Sequence, residues 1–434
     1  MKKTFFIETY GCQMNFSDSE IVASILTKEN FSEAATLEEA GLILLNTCSI
    51  RDNAEQRIFN RLRHLKSLKK KNKGLMIGIL GCMAERLKEQ LFEDGIVDIV
   101  AGPDSYRELP QLIYQAGEHG QAFNILLSAE ETYADINPVR IDSNGVSAFI
   151  SIMRGCQNFC SYCVVPYTRG KERSRAAGTI INEATTLYNE GFREITLLGQ
   201  NVNSYNYEQI RFPKLLSLVA EINPRLRIRF ATSHPKDLSD ELINVIAAYD
   251  NICKSIHLPL QSGSNGILKL MKRNYTRESY MAIIDKIYSQ IPGCSISTDI
   301  ISGFCSETWQ DHEDTLDIMR RAAYDSAFMF RYSERPGTFA AGKYKDDIPD
   351  DIKAKRLNEI ISLQNKLSLD KNKKDIGKTF EVLVEGFSKK STNQLSGRNS
   401  QNKVVVFTDD KHHAGDYVMV KITGCTSATL KGEI

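Results

Sequence analysis

Three cysteines share one short segment, Arg154-Gly155-Cys156-Gln157-Asn158-Phe159-Cys160-Ser161-Tyr162-Cys163. Thiolates two to four residues apart on one loop can converge on a single cube of iron and sulfur. A four-iron cube has four corners, so three protein thiolates leave one iron open to a small molecule. A structural zinc ion is the competing reading. It wants a fourth ligand at a matched spacing, and no second CxxC and no HxxxH accompanies the triplet. Three more cysteines are dispersed: Cys12 in Tyr10-Gly11-Cys12, Cys48 in Asn46-Thr47-Cys48 and Cys82 in Gly81-Cys82. Each alone reads as a small core hydrophobe. What joins them is position, because each closes an apolar run. Three thiolates at equivalent places in successive βα units would meet in one crevice and offer a second metal centre with one open iron. Cys253, Cys294, Cys305 and Cys425 have no partner pattern and read as ordinary small hydrophobes.

The elements that must position these thiols are legible as alternating runs. In residues 1–120, apolar stretches at 5–8, 42–45, 75–80 and 97–100 alternate with helical stretches at 17–29, from 48 to about 70, and at 84–92. That alternation predicts a parallel α/β domain, whose ligands gather outside the carboxyl ends of the strands. Residues 121–146 lack strong periodicity and read as a connector. Within 147–370, six apolar runs (149–153, 194–198, 227–231, 255–260, 295–301 and 328–332) are separated by helical stretches. Six βα units predict an open (βα)6 partial barrel with its working loops at the strand carboxyl ends. An amphipathic helix is expected over 351–370. The β-type runs at 380–385, 404–408 and 417–422, split by Gly, Ser and Asn, predict a small β-barrel over 375–434. The fold class is therefore α/β with a C-terminal β module.

Composition sets the outer limits. At 434 residues the chain calls for two or three domains. Its 42% hydrophobic and 25% charged residues are ordinary for a globular protein. Net charge is +1, so binding to nucleic acid must come from local patches. The amino terminus lacks the long apolar run of a signal peptide, and no stretch approaches a membrane span. A cytoplasmic protein with no membrane association is expected. In a reducing compartment six clustered or strand-end cysteines among the ten point to metal or catalysis, not to a disulfide scaffold.

The CxxxCxxC spacing at the end of a first barrel strand resembles the radical S-adenosylmethionine enzymes. In that superfamily the open iron chelates the cofactor's amino and carboxylate groups, and reduction yields methionine and a 5′-deoxyadenosyl radical. Four segments bring the likeness closer. Tyr10-Gly-Cys-Gln-Met-Asn15, Asn46-Thr-Cys-Ser-Ile-Arg51, Gly81-Cys-Met-Ala84 and Arg154 through Gly170 resemble the methylthiotransferases of that superfamily, and within them the branch that modifies isopentenyladenosine in tRNA. The likeness runs nearly end to end, and the β module is similar to the TRAM RNA-binding domain. The departures are local: Phe304-Cys-Ser-Glu307 stands where Pro-Gly-Glu is common, and Glu334 and Phe339 replace frequent prolines. The resemblance implies two [4Fe-4S] clusters, one on Cys156, Cys160 and Cys163 and one on Cys12, Cys48 and Cys82. It implies one S-adenosylmethionine for methyl transfer and one for the radical, and a methylthio group inserted at C2 of N6-isopentenyladenosine next to the anticodon. Adenine C2–H is neither acidic nor bonded to a leaving group, so no side-chain general base is expected. Sister enzymes acting on threonylcarbamoyl-adenosine in tRNA or on a ribosomal protein are the near alternatives. A non-catalytic iron–sulfur RNA sensor is the alternative of another class. The partners expected are tRNA and an electron donor of unknown identity, with the protein working as a monomer.

Strand-end segments nominate Gln200, Asn201, His234, Gln261, Ser262, Asp299 and Gly303 as contacts to S-adenosylmethionine, Gly303 by allowing close backbone approach. Three basic patches nominate RNA contacts. Residues 51–73 hold nine Lys/Arg against two acids, among them Arg51, Arg57, Arg61, Lys69 and Lys70. Arg169 and Arg173 follow the cysteine triplet, and Lys389, Lys390, Arg398 and Lys403 lie on the β module.

Overall fold

The computed structural model describes residues 3–48, 52–141, 144–389 and 391–434. Its N-terminal part is a parallel sheet of six strands in the order β2-β1-β3-β4-β5-β6: β1 Thr4–Tyr10, β2 Ser32–Glu33, β3 Leu42–Thr47, β4 Met76–Gly81, β5 Ile99–Ala101 and β6 Ala122–Asn124. Successive residues of β3 serve opposite faces. Leu42 and Leu44 pack with Ile21, Val22 and Leu26 of helix α1 (Gln13–Lys28) and Leu112 of α4 (Leu109–His119). Ile43 and Leu45 pack with Ile58 and Leu62 of α2 (Asp52–Lys71) and Met83 of α3 (Cys82–Leu87). A sheet covered on both faces explains why these strands read as unbroken apolar runs.

Two differences from the sequence reading matter. β6 pairs with β5 in register (Ile99↔Ala122), and Tyr133 and Ile136 are buried in the same core. The domain thus takes in much of the 121–146 segment, which lacks periodicity because its strand is three residues long and on the sheet edge. Helix α1 also starts at Gln13 instead of near residue 17, which puts Cys12 at its N-cap. Its first turns are polar yet buried (Asn15, Ser17, Asp18, Ser19, Glu20), because they face the next domain, so apolar spacing could not mark the start.

The central part has six parallel strands in two three-stranded sheets. One is β13-β10-β7 (β7 Ser147–Ser151, β10 Glu194–Leu198, β13 Arg227–Phe230) and the other β14-β15-β16 (β14 Ser255–His257, β15 Ser295–Ser302, β16 Ser326–Arg331). A parallel bridge from Ile228 of β13 to Ile252, just ahead of β14, links them. Between strands run α6 (Ala177–Asn189), α7 (Phe212–Ala220), α8 (Asp240–Ala248), α9 (Asn265–Leu270), α10 (Arg277–Gln290) and α11 (Trp309–Ala322). Short pairs, β8 (Met153–Arg154) with β9 (Arg173–Ser174) and β11 (Asn206–Tyr207) with β12 (Ile210–Arg211), brace the loops. The expected open six-unit barrel is present. After α12 (Phe339–Lys343), α13 (Asp350–Lys373) packs on β16 and leads to a closed barrel, β17-β18-β19-β21-β20. Its strands are β17 Thr379–Ser388, β18 Ser391–Asn399, β19 Val404–Phe407, β20 Tyr417–Cys425 and β21 Thr429–Glu433.

The β module docks at the amino ends of the central strands, the end opposite the cysteine loops. Arg229 donates to Asn399 O at 2.9 Å and pairs with Glu194 at 2.8 Å, Arg227 donates to Arg398 O at 2.7 Å, and Tyr417 OH donates to Arg225 O at 2.9 Å. Among the described residues, no helix is long and apolar enough to cross a membrane.

Candidate iron–sulfur centres and their surroundings

Cys12, Cys48 and Cys82 each follow the carboxyl end of a strand, β1, β3 and β4, which are adjacent in the sheet. Hydrogen bonds between their flanking residues lock the three ends together. Asn46 Nδ2 donates to Asn15 O (2.8 Å) and Ser19 Oγ (2.9 Å), Asn15 Nδ2 donates to Asn46 Oδ1 (3.2 Å), and Thr47 Oγ1 donates to Leu80 O (2.7 Å). A Cβ on Gly11 would stand 2.6 Å from Cys48 Cβ, so only glycine lets the first loop close on the second cysteine. A hydrogen bond with Cys48 is the largest influence on the Cys12 thiol. Burial opposes it, the Arg169 guanidinium reinforces it, and the thiol is drawn down to about 6. The N-terminus of α1 favours the same charge state.

Arg169 closes this crevice. It is 3% exposed, and its Nε donates to Cys82 Sγ at 3.2 Å while Nη2 meets Asp18 Oδ2 at 2.8 Å. Asp18, on α1, also takes Arg154 Nη1 at 2.7 Å, and Arg154 donates to Pro103 O and lies over the Tyr133 ring. Arg173 completes the chain by pairing with Asp104 at 2.9 Å. Three guanidiniums face two carboxylates in a buried network. Burial alone would raise the Asp18 carboxyl, but Arg154 and Arg169 outweigh it and hold the group low. At Asp104 burial prevails and the carboxyl is raised.

The second triplet lies on the loop after β7 and β8. Cys156 N–H donates to Gly170 O (3.1 Å), Gln157 N–H to Glu172 Oε1 (3.1 Å), Ser161 N–H to Met271 O (3.0 Å), and Cys163 N–H to Cys160 O (3.0 Å). Arg273, buried, donates from Nη1 to Cys160 Sγ at 3.3 Å and from Nη2 to Pro259 O at 3.2 Å. Burial pushes the Cys156 thiol up to about 11 and raises Cys163 as well, so burial disfavours the thiolates that a metal would need and would in turn stabilise. Gly155 has φ +78°, and a Cβ there would lie 2.0 Å from Lys171 O. The Gly155→Ala variant combines that clash with about 1–3 kcal/mol of backbone strain. It is expected to lose most of the iron bound at this loop after anaerobic reconstitution, with far-ultraviolet circular dichroism unchanged.

The donor sets suit clusters. Among the described residues, no three His, Cys, Asp or Glu side chains close on a single metal ion. A cluster instead takes its thiolates at separate corners, and each set offers three sulfurs with a cationic hydrogen-bond donor on one of them. Around the second loop, buried polar atoms lack protein partners: Gln200 Oε1, Asn201 Oδ1, Ser233 Oγ, Gln261 Oε1 and Ser302 Oγ, contributed by four different strand ends. A polar ligand with amino, carboxylate and hydroxyl groups would satisfy them.

The other nominated cofactor contacts fare differently. His234 Nδ1 accepts from Lys236 N–H at 3.3 Å, and its ring packs against Tyr275. Burial first, then Arg273 and Lys236, pull it down to about 2, so it is neutral. Ser262 Oγ accepts from Ser264 N–H in a buried turn. Asp299 Oδ2 is 3.4 Å from His257 Nε2. Gly303 does permit close approach, but of the Lys353 stem (2.4 Å from a built Cβ), with its N–H donating to Glu307 at 2.9 Å.

The basic residues divide. Arg169 and Arg173 are buried in the ion network and have no surface to offer RNA. Arg61 donates to Glu8 (2.9 Å), Lys69 pairs with Asp98 (2.6 Å), Arg398 with Glu385 (3.1 Å), and Lys403 with Asp375 (2.8 Å) and Asp325 (3.2 Å), so internal carboxylates already neutralise them. Arg57, Lys70 and Lys389 are exposed. Arg51 and Lys390 lie outside the described residues. Arg273 was missed altogether, having no acidic or cysteine neighbour in sequence to single it out.

Three family profiles match the chain: Uncharacterized protein family UPF0004 over residues 4–102, the Radical SAM superfamily over 150–319 and the TRAM domain over 373–434. The chain is 57% identical over 436 residues to a tRNA-2-methylthio-N(6)-dimethylallyladenosine synthase of Bacteroides fragilis, covering 99% of this chain and 95% of that protein. It is 54% identical over 440 residues to the protein of the same name from Porphyromonas gingivalis, covering 100% and 95%. Among solved structures, the radical S-adenosylmethionine methyltransferase TsrM from Kitasatospora setae, with cobalamin and a [4Fe-4S] cluster bound, superposes with a TM-score of 0.59 at 14% identity, over 79% of this chain and 77% of that one. The cobalamin-dependent enzyme OxsB superposes with a TM-score of 0.54 at 14% identity, over 83% and 56%. These last two likenesses speak for the fold.

Proposed function

Because the chain belongs to the family of tRNA-2-methylthio-N(6)-dimethylallyladenosine synthases within the radical S-adenosylmethionine superfamily, we propose that it inserts a methylthio group at C2 of N6-isopentenyladenosine in tRNA. The observation that carries the reading is the pairing of two three-cysteine sets at strand carboxyl ends, tied by the buried chain Cys82–Arg169–Asp18–Arg154. When bound, two [4Fe-4S] clusters and S-adenosylmethionine supply the electron, the hydrogen-abstracting radical, the methyl group and the sulfur. Cys156, Cys160 and Cys163 would hold one cluster, and Cys12, Cys48 and Cys82 the other. Gln200, Asn201 and Gln261 would orient S-adenosylmethionine through their unpartnered oxygens. Arg169 and Arg273 stabilise thiolate charge by donating to sulfur, and the surplus guanidinium beside Cys82 favours an anionic centre. The chain's own task is to hold, orient and enclose. Electrons come from a separate donor, and the enzyme works as a monomer in the cytoplasm, where its substrate is.

Exposed Arg57, Lys70 and Lys389 would contact the RNA backbone, with Phe387, 70% exposed on β17, available beside Lys389 for stacking. Lys389→Ala is expected to weaken tRNA binding and flatten its dependence on log salt by about one. Lys403→Ala should leave that slope alone and lower stability by about 1 kcal/mol, since it removes the cation that Asp325 and Asp375 share while leaving each with one other lysine, Lys371 and Lys378. Filter binding across a salt series and urea unfolding separate the two.

Nucleoside mass spectrometry of tRNA from a deletion strain tests the whole reading. The methylthio group should vanish while the isopentenyl group stays, and an unchanged methylthio signal would overturn it.

A further inference from the structure

Phe159 and Tyr167 are 48% and 47% exposed, with ring centroids 6.1 Å apart and planes at 79°. Phe159 stands between Cys156 and Cys160, and its φ of +45° lies in the left-handed region, a rare state for a bulky side chain. Strain of this kind persists where the surroundings impose it, and it clusters at ligand sites. Tyr167 is on α5 (Val165–Thr168), which packs against α3, the helix that opens at Cys82. The two rings therefore occupy the rim between one cysteine set and the other. Lys171 is exposed close by, its backbone against Gly155 at the start of the cysteine loop, and has no ion-pair partner among the described residues.

Single exposed aromatics are common and need no explanation. Two in edge contact on the lip of a two-centre site, beside an unpaired cation, match a specific occupant. An unpaired nucleobase offers a flat face to one ring and an edge to the other, and its phosphate offers the anion. We propose that Phe159 and Tyr167 form a stacking platform for one unpaired base of the substrate RNA, with Lys171 meeting the adjoining phosphate. This inference rests on the reading of the protein as a tRNA-modifying enzyme. It names the part of the surface that captures the RNA loop.

The test uses the full-length reconstituted enzyme, an isopentenylated anticodon stem–loop and the same RNA carrying 2-aminopurine in its loop. The Phe159→Leu/Tyr167→Leu variant should raise Kd, by fluorescence anisotropy, and KM about tenfold, the usual effect of one lost base stack, with kcat little changed. Quenching of 2-aminopurine by the wild type should be lost in the variant. Iron content and RNA-independent cleavage of S-adenosylmethionine should match the wild type, whereas a structural role would move them together with KM. Tyr167→Leu alone, outside the cysteine loop, should show at least part of the Kd effect, and Tyr167→Phe should restore it. Wild-type Kd, KM and quenching in the Leu variants would overturn the platform while leaving the activity in place. A wild-type enzyme that neither binds nor modifies the RNA would instead overturn the functional reading.

Discussion

Replacing Cys12, Cys48 and Cys82 together by Ala is expected to yield a protein with about four irons in place of about eight, one that still cleaves S-adenosylmethionine under reduction but forms no methylthio product. The expectation follows from the separation of the two sets. The three thiols end adjacent strands of one sheet, whereas Cys156, Cys160 and Cys163 lie on a loop of the next domain held by its own hydrogen bonds. Loss of one set leaves the supports of the other intact. The mirror experiment, Cys156, Cys160 and Cys163 to Ala, should also leave about four irons but abolish 5′-deoxyadenosine as well as product. Iron analysis and chromatography of the nucleosides check both. An iron count unchanged by the first triple replacement would show that the dispersed cysteines hold no cluster.

The Asp18→Asn variant is expected to destabilise the protein by about 3–5 kcal/mol, the cost typical of removing one partner from a buried ion pair. Asp18 is fully buried and gives one oxygen to Arg154 at 2.7 Å and the other to Arg169 at 2.8 Å. An amide keeps one acceptor, turns a donor toward a guanidinium, and leaves three buried guanidiniums facing a single carboxylate, Asp104, with Arg169 retaining only the Cys82 sulfur. Urea unfolding of the metal-free protein measures the loss, and a change under 1 kcal/mol would mean the network contributes little. The pH dependence has a definite sign. Burial favours the neutral acid, the two guanidiniums prevail, and the folded carboxyl sits below its unfolded value of roughly 4. Its contribution is therefore complete above that value and disappears as pH falls through the lower, folded one. Asp18→Asn should abolish that acid-side component.

The apolar runs announced the strands that bury both faces, β3 and β4 above all, and with them the places of the strand-end cysteines. Strands whose ladder is supplied by neighbours left no such mark. β18, Ser391–Asn399, has Leu395 as its only large apolar residue, yet it is paired on both sides, with β17 and β19. β2 is an exposed two-residue edge. The cysteine sets were legible because thiol chemistry narrows the meaning of spacing. The arginines were not, because sign of charge says nothing about burial. Arg169 reads as basic surface until Asp18, 151 positions away in sequence, is found against it. Arg273 had no sequence signal at all, since its partner is a sulfur 113 positions distant.

The polar face of α1 bears on how this protein can be divided. Three family profiles tile the chain as though it were three interchangeable parts. Yet Asp18 and Glu20 of the first part are neutralised by Arg154, Arg169 and Arg140, which lie at or beyond the boundary with the second, and Arg140 also holds Glu183 of α6. A fragment ending at β6 would keep the carboxylates without their counterions, and a fragment starting at β7 would keep Arg154 and Arg169 without theirs. Inheritance, exchange or recombinant swapping of either piece therefore succeeds only when the complementary charges travel with it, so the two cysteine-bearing parts are constrained to change as one.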